Sequence, residues 1–257
     1  MIEEIGRWTI QSISYMGGLF SLWAKTIIQL VLPGSPRRWR WISEQMVHAV
    51  IHSLLIVTVI MMMIGMVMAL QTAYQLRQLG TELVIPGMLA LSIFRELGPM
   101  ITALVVAGRA GAAMTAEIGS MKVTEQIEAL EAMSVKPVEF LVVPRFLAML
   151  LLLPLLTVYA DVLGIFGGYL VCSAKLGIPK ELFINKAMSV VVFHDFASGI
   201  FKSVIFAMII SITCSFQGMR VSGGAGGVGR ATMNAVVVSF LLIVFFDFFF
   251  TLLFYMM

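Results

Sequence analysis

The 257-residue sequence has a net charge of +3, and hydrophobic residues make up 60% of it while charged residues make up only 12%. A water-soluble domain has about a quarter of its residues charged, so this composition excludes a soluble enzyme. It predicts an all-α integral membrane protein, with room for about five or six membrane spans. Nucleic-acid binding is excluded as well, because no stretch concentrates Lys and Arg on one polar face.

An amphipathic helix is the first predicted element, within residues 1–36. Apolar side chains recur on one side at a period of about 3.6 residues, and Arg7, Gln11 and Lys25 lie opposite them. Such a helix lies in the plane of the membrane interface, and the alternative is an ordinary packing helix that covers the bundle. The segment PGSP at 33–36 is expected to end the helix, because Pro and Gly interrupt helical structure.

Five apolar runs follow, each long enough to cross a hydrocarbon core of about 30 Å at about 1.5 Å per residue. They cover residues 46–70, 84–107, 140–173, 197–217 and 235–257. Lys and Arg are more numerous in the loops on the side of the N-terminus. This bias predicts a cytoplasmic N-terminus and, after five spans, a C-terminus on the opposite side.

Residues 115–133, between the second and third spans, are too polar to cross a bilayer and too periodic for a loop. The periodicity predicts one short helix on the cytoplasmic side, with an apolar face and an opposite acidic face. The apolar face consists of Gly119, Val123, Ile127 and Leu130. The acidic face consists of Glu117, Glu125, Glu128 and Glu131. Because like charges on one helix repel, we expect a cationic partner surface, and a solvated acidic face without a partner is the alternative.

The second span carries Arg95 and Glu96 near its middle, where each charge costs about 2.5–3.5 kcal/mol on insertion scales. Neighbouring helical residues point about 100° apart, so this pair does not neutralise itself. Pro99 has no N–H for the carbonyl of Arg95, which predicts a kink. Charges beside a kink indicate a helix that lines a polar cavity. The alternative is an internal salt bridge in which Arg95 or Lys202 meets Glu96 or Asp247.

Three further patterns resemble known sites. His48 and His52 have the i,i+4 spacing of metal ligands, but no third ligand is near in sequence, so no metal site is predicted. Residues 224–229, GAGGVG, match a dinucleotide fingerprint, but membrane spans flank them, which predicts a flexible loop before the fifth span. The glycines within 164–168 are typical of close helix packing, either in a dimer or within one chain.

Residues 95–145, RELGPMITALVVAGRAGAAMTAEIGSMKVTEQIEALEAMSVKPVEFLVVPR, closely resemble the MlaE permease family of phospholipid ABC transporters. The segment GRATMNAVVVSF near the C-terminus is similar to the same family. So is the plan of an interfacial helix followed by five spans. The resemblance therefore runs nearly end to end, and it implies that residues 1–257 form a single permease domain.

This resemblance implies partners and site residues that the composition does not reveal. Two permease copies are expected in the membrane, with a cytoplasmic ABC ATPase that holds ATP and Mg²⁺, a periplasmic MCE-domain protein and a STAS-domain protein. The helix 115–133 is expected to couple to the ATPase, through Glu117, Lys122, Glu125, Glu128 and Glu131. Phospholipid is expected in a cavity near Arg95, Glu96, Gln71 and Tyr74. Lys202 and Asp247 are the expected intramembrane charge partners, and Asp161 receives no role.

The function implied is a non-catalytic permease subunit in the bacterial inner membrane, without a cofactor of its own. It is expected to move phospholipid between that membrane and the MCE protein and so to maintain the lipid asymmetry of the outer membrane, with its C-terminus in the periplasm. One alternative is a stand-alone ion-coupled secondary transporter, although the sequence shows no obvious inverted repeat. Another is a scaffold that transports nothing.

Overall fold

Helices form all of the regular secondary structure in the described part of the chain. The computed structural model describes the backbone of residues 2–31, 37–77 and 80–256, and the side chains of residues 10, 13–30, 53–76, 80–254 and 256. Within these residues, five helical stretches are long and apolar enough to cross a membrane. We number them spans one to five: Ser53–Leu76, Glu82–Val123, Val138–Leu176, Phe193–Met219 and Gly224–Phe254. The predicted all-α membrane fold is thereby confirmed.

The helices have the following bounds in the described residues. Helices α1 and α2 cover Ile2–Val31 and Arg37–Arg77. Span two begins with a 3-10 turn at Glu82–Val84 and contains three α-helices: α3 (Ile85–Ser92), α4 (Gly98–Val106) and α5 (Ala112–Val123). A π-helical turn at Ile93–Leu97 joins α3 to α4, and a second one at Ala107–Gly111 joins α4 to α5. The remaining helices are α6 (Gln126–Ala132), α7 (Val143–Leu176), α8 (Lys180–Val190), α9 (Phe193–Met219) and α10 (Gly224–Met256). A π-helical turn at Val138–Val142 leads into α7.

The stretch 115–133, predicted as one helix, is divided by a turn at Thr124 and Glu125. Its first half is the end of α5, which continues span two, and its second half contains α6. Glu125 has a left-handed backbone with φ of 59°, which ends α5, and the Thr124 hydroxyl donates to the Ser120 carbonyl at 2.9 Å. The predicted pair of opposite faces along a single helix is therefore wrong.

The glycine-rich segment 224–229, predicted as a flexible loop, forms the first turns of α10 instead. Gly223 and Gly224 have φ of 85° and 69°, so the turn before the helix needs the conformational freedom of glycine. Gly227 lies against the Ser222 carbonyl, where a Cβ atom would clash. The loop prediction is wrong because these glycines allow a tight turn and a close backbone contact.

Contacts divide the chain into two compact units. The first unit comprises Met1–Met46, Ala107–Met149 and Met208–Ser239. The second unit comprises Val47–Val106, Leu150–Ala207 and Phe240–Met257. In the first unit, a core of Ile118, Ile127 and Leu141 packs the end of span two against α6 and the start of span three.

Within the first unit, helix α1 packs against the end of α9 through one side. Gly18 lies against the Phe216 ring, and the Tyr15 hydroxyl accepts a hydrogen bond from Gln217 Nε2 at 2.8 Å. Burial raises the pKa of Tyr15, although the Gln217 bond and Arg220 act in the opposite direction. The exposed apolar side chains of α1 include Ile10, Ile13, Met16, Phe20 and Ile28. This exposed surface agrees with an interfacial helix, which stays a prediction.

Two sequence predictions lie outside the described residues. The segment 33–36, predicted to end the first helix, is one of them. The side chains of His48 and His52, which were considered as metal ligands, are the other, although their backbone belongs to α2.

In the second unit, glycines bring α2 and α7 into backbone contact. Gly65 lies against the Gly164 carbonyl, and Gly167 lies against the Met62 carbonyl, so that a Cβ atom at either glycine would clash. The glycine pattern at 164–168 therefore serves packing within one chain. Helix α8, which was not predicted from the sequence, buries Phe183 and Ala187 one turn apart, and its Val190 side chain packs on Gly87 of α3.

Candidate functional site

A buried lysine joins spans two, four and five of the second unit. Lys202 on α9 is 1% exposed, and its Nζ donates to Glu96 Oε2 at 2.6 Å, to Asp247 Oδ1 at 3.0 Å and to Thr251 Oγ1 at 2.8 Å. An ammonium group has three protons, so these bonds use all of them. The Thr251 hydroxyl also lies 3.0 Å from Glu96 Oε2 and 2.8 Å from the Asp247 carbonyl, and its one proton serves one of these acceptors. The result is a closed network of one cation and two carboxylates.

Arg95 takes part in a second ion pair of the same unit. Its Nε and Nη2 both lie 2.5 Å from Asp195 Oδ1, near the start of α9. The Asp195 side chain is 1% exposed, and its other oxygen accepts from the Val192 N–H at 2.9 Å. The Arg95 side chain is 46% exposed, and Nη1 takes no part in the pair. Asp195 therefore holds the guanidinium in one orientation while part of it stays accessible.

The backbone around Pro99 explains how both charged residues reach these partners. Arg95 and Glu96 lie in the π-helical turn, and the Gly98 N–H bonds to the Ile93 carbonyl five residues earlier. This wider turn is where the helix accommodates Pro99, which has no N–H to donate. The predicted disturbance of the helix is thus found one turn before the proline.

Arg95, Glu96 and Lys202 line a small cavity of about 70 Å³. Its other lining residues are His194, Ser198, Thr251 and Phe254. The structure therefore contains both of the arrangements weighed from the sequence, since the same residues line a cavity and form salt bridges. Lys202 meets Glu96 and Asp247 as one alternative proposed, whereas Arg95 pairs with Asp195.

The predicted set differs from this cavity in two respects. Gln71 and Tyr74, on α2, are exposed and do not line it, so their contact with lipid stays a prediction. Asp195 was missed because it precedes the predicted fourth span, where an acidic residue is ordinary. Thr251 was missed because a hydroxyl within a helix usually bonds its own backbone. Its i,i+4 spacing from Asp247 is the signal that places both on one face of α10.

The residues predicted to contact an ATPase lie around the turn between α5 and α6, in the first unit. Lys122 and Glu128 form an ion pair across it, and this hydrogen bond lowers the pKa of Glu128. Glu117 Oε2 lies 2.7 Å from Nη2 of the buried Arg145, whose Nη1 donates to the Leu141 carbonyl at 2.8 Å. Two of the four acids therefore have cationic partners within the chain, contrary to the expectation that all four need a partner protein.

Glu125, in this turn, and Glu131, in α6, are the two remaining acids. Both are exposed. No ion pair joins either of them to another described side chain of the chain. They are the acids that stay available to a partner surface.

Known proteins match nearly the whole chain. Residues 42–253 match the family described as Permease MlaE. A probable ABC transporter permease protein of Rickettsia typhi is 37% identical over 239 residues, which cover 93% of this chain and 92% of that protein. One from Synechocystis sp. is 41% identical over 186 residues (72% and 71%). The intermembrane phospholipid transport system permease protein MlaE of Haemophilus influenzae is 38% identical over 202 residues (78% and 77%).

Proposed function

The chain belongs to the MlaE permease family, and from this premise we propose that it is the membrane permease subunit of an ATP-driven phospholipid transporter. The observation that carries the proposal is the accessible Arg95 guanidinium, held by Asp195 at a cavity between membrane spans that charged side chains help to line. A guanidinium binds phosphate oxygens through directed, charge-assisted hydrogen bonds, and phosphate is common to all phospholipid headgroups.

The size of the cavity decides which part of a lipid it would hold. A volume of about 70 Å³ accepts a few polar atoms of a headgroup but not two acyl chains. We therefore infer that the phosphate meets Arg95 while the acyl chains lie against apolar surfaces. Because Lys202 has no proton left to donate, it acts as a fixed charge that keeps Glu96 in place rather than as a phosphate ligand.

ATP hydrolysis is assigned to a separate ABC ATPase, which would hold ATP and Mg²⁺, while this chain is non-catalytic. The relatives' description as ABC transporter permeases supports this assignment. The turn between α5 and α6 is the proposed contact, with Glu125 and Glu131 facing a cationic surface of the ATPase. Nucleotide-driven movement of the ATPases would push on this turn and change the width of the lipid site.

The assembly and location follow the family resemblance. We propose a homodimer in the bacterial inner membrane, with a cytoplasmic N-terminus and a periplasmic C-terminus. A periplasmic MCE-domain protein would exchange lipid with it, and a STAS-domain protein would bind the ATPase. This lipid transport would maintain the lipid asymmetry of the outer membrane.

Affinity purification from native membranes, with mass spectrometry of bound proteins and lipids, tests the proposal. We expect an ATPase, an MCE-domain protein and phospholipid to be recovered with the chain. Recovery without any ATPase in several detergents would contradict the proposal and favour a self-sufficient secondary transporter or a scaffold.

The role of Arg95 is tested in the purified complex. Arg95→Ala is expected to lower the amount of bound phospholipid per complex severalfold without loss of assembly. Lys175→Ala, which removes an exposed lysine at the end of α7, is the matched control and should leave lipid content unchanged. Unchanged lipid in the Arg95 variant would reduce Arg95 to a structural partner of Asp195.

A further inference from the structure

Asp161, on α7 in span three, is a buried carboxyl group that the lipid site does not use. The residue is 2% exposed, and its Oδ1 has no hydrogen-bond partner among the described residues. The acids of the charge network differ from it, because Glu96 and Asp247 both bond to Lys202. The free energy of burying Asp161 therefore needs an explanation of its own.

The carboxyl group packs directly on the backbone of span two. Oδ1 lies so close to the α-carbon of Gly98 that a Cβ atom there would overlap it. Gly98 follows the π-helical turn and precedes Pro99, so the contact is made where span two departs from regular α-helical hydrogen bonding. One turn further along α4, Thr102 is fully buried, and its hydroxyl also lacks a partner among the described residues.

No cation compensates a charge at this position in the described residues. Helix α2, which packs on α7 through Gly65 and Gly164, has no acidic or basic side chain over Ser53–Leu76. Span two brings Arg95 and Glu96 near the turn, but their side chains are held by Asp195 and Lys202.

Physical chemistry then favours the neutral form of this carboxyl group. An ionised carboxylate without a partner in a low-dielectric interior costs far more than a protonated one, and a buried acid avoids the cost by keeping its proton. The burial of Asp161, without a cation and without a hydrogen-bond partner for Oδ1 among the described residues, therefore favours the carboxylic acid over the carboxylate.

We propose that Asp161 is a proton-binding site, which is protonated while α7 is packed on Gly98 and releases its proton to water when this contact opens. On opening, water reaches the carboxyl group, the O–H bond breaks and the proton passes to a water molecule. On closing, the carboxylate takes one proton back from water. Each opening and closing of the contact thus releases and rebinds one proton, without any other reactant.

Infrared spectroscopy of the purified, reconstituted complex tests the resting protonation state, independently of the proposed transport function. At neutral pH, Asp161→Asn should remove one carboxylic-acid C=O band that shifts in heavy water. Glu181→Gln, which replaces an exposed acid at the start of α8, should leave that band unchanged. If the Asn variant does not assemble, Asp161→Val is used in its place. Retention of the band in the assembled variant shows an ionised Asp161 and overturns the proposal.

A second measurement separates a proton from a metal cation. The thermal stability of the wild-type complex is compared in Na⁺, K⁺ and choline salts. We expect no difference among them. A stability that depends on Na⁺ or K⁺ in the wild type but not in Asp161→Asn would mean that a cation occupies the site, which also overturns the proposal.

The release step rests on the proposed function, and its test is the pH dependence of nucleotide hydrolysis by the complex. Because closing requires uptake of a proton, wild-type turnover should fall as the pH rises from mildly acidic to mildly alkaline. In Asp161→Asn this part of the decline should be lost, whereas Glu181→Gln should retain it. Identical profiles for all three, together with loss of the infrared band, would overturn proton release while leaving the resting protonation intact. A complex without any nucleotide hydrolysis would instead contradict the proposed function.

Discussion

Removal of the cation at position 202 is the most direct test of the charge network. Lys202→Met keeps an unbranched side chain of similar length and removes all three hydrogen bonds of Nζ. Breaking a buried ion pair by deleting one partner costs about 3–5 kcal/mol, because the other charge stays buried. The Asp247 side chain is 12% exposed and the Glu96 side chain 34% exposed, so water stabilises Glu96 in part. We therefore expect the lower end, about 3 kcal/mol.

The loss of stability in Lys202→Met can be measured with the two buried free cysteines of the chain. Because Cys172 and Cys214 are buried, we expect them to react with a thiol-specific fluorophore only when unfolding exposes them. At about 2–4 °C per kcal/mol, Lys202→Met should lower the midpoint of labelling by about 6–12 °C. Lys175→Met, at an exposed position, is the control and should leave the midpoint unchanged.

A double variant decides whether the loss comes from unpaired charge. Lys202→Met combined with Asp247→Asn removes one of the two carboxylates that lost their cation, so it should be more stable than Lys202→Met alone. If Lys202→Met is as stable as the wild type, the reasoning on buried charge is wrong. If the double variant is less stable than the single one, the loss of stability comes from lost packing contacts and not from unpaired charge.

Three further outcomes are expected. Gly65→Ala places a Cβ against the α7 backbone and should cost at least about 1–3 kcal/mol in the thiol assay, whereas Gly17→Ala, with open space around it, should be neutral or stabilise by up to about 1 kcal/mol. Equal stability of these two variants would contradict the backbone contact. Tyr15→Phe loses the bond from Gln217 and should cost about 0.5–1.5 kcal/mol. Because burial raises the pKa of Tyr15, the neutral phenol stabilises the fold below its ordinary pKa of about 10, and this contribution is lost as the pH rises through the raised value. The phenylalanine variant should therefore be less sensitive to alkaline pH, and an unchanged sensitivity would argue against burial. Glu125→Lys should lower recovery of the ATPase without loss of membrane insertion, and normal recovery would exclude this acid from the contact.

The spans were predictable from the sequence because lipid requires long apolar helices. The ends of the spans were less predictable. Span two continues to Val123, well past the predicted end at 107, through the second π-helical turn at Ala107–Gly111. The helix break at Glu125 depends on a left-handed backbone conformation, which glutamate rarely adopts, and no local sequence pattern indicates it.

The site residues that could be predicted are the charged side chains within otherwise apolar spans. Arg95, Glu96, Lys202 and Asp247 were recognisable in this way, because a charge within a span needs a partner or water. The pairing of Lys202 with Glu96 and Asp247 was one of the alternatives stated from the sequence, whereas the partner of Arg95 was not predictable, since residues distant in sequence meet only in the folded bundle. Asp195 is the clearest case, because an acidic residue at a helix start is ordinary until the arginine that it holds is known.

The saturated hydrogen bonding of Lys202 limits how relatives of this chain can diverge. Loss of the lysine alone leaves two acids unpaired, so this single substitution is disfavoured, and loss of both acids together leaves a buried ammonium group without a partner. Substitutions at these positions should therefore be correlated across the family. Relatives with an uncharged residue at position 202 are expected to lack an acid at 96 or at 247 as well.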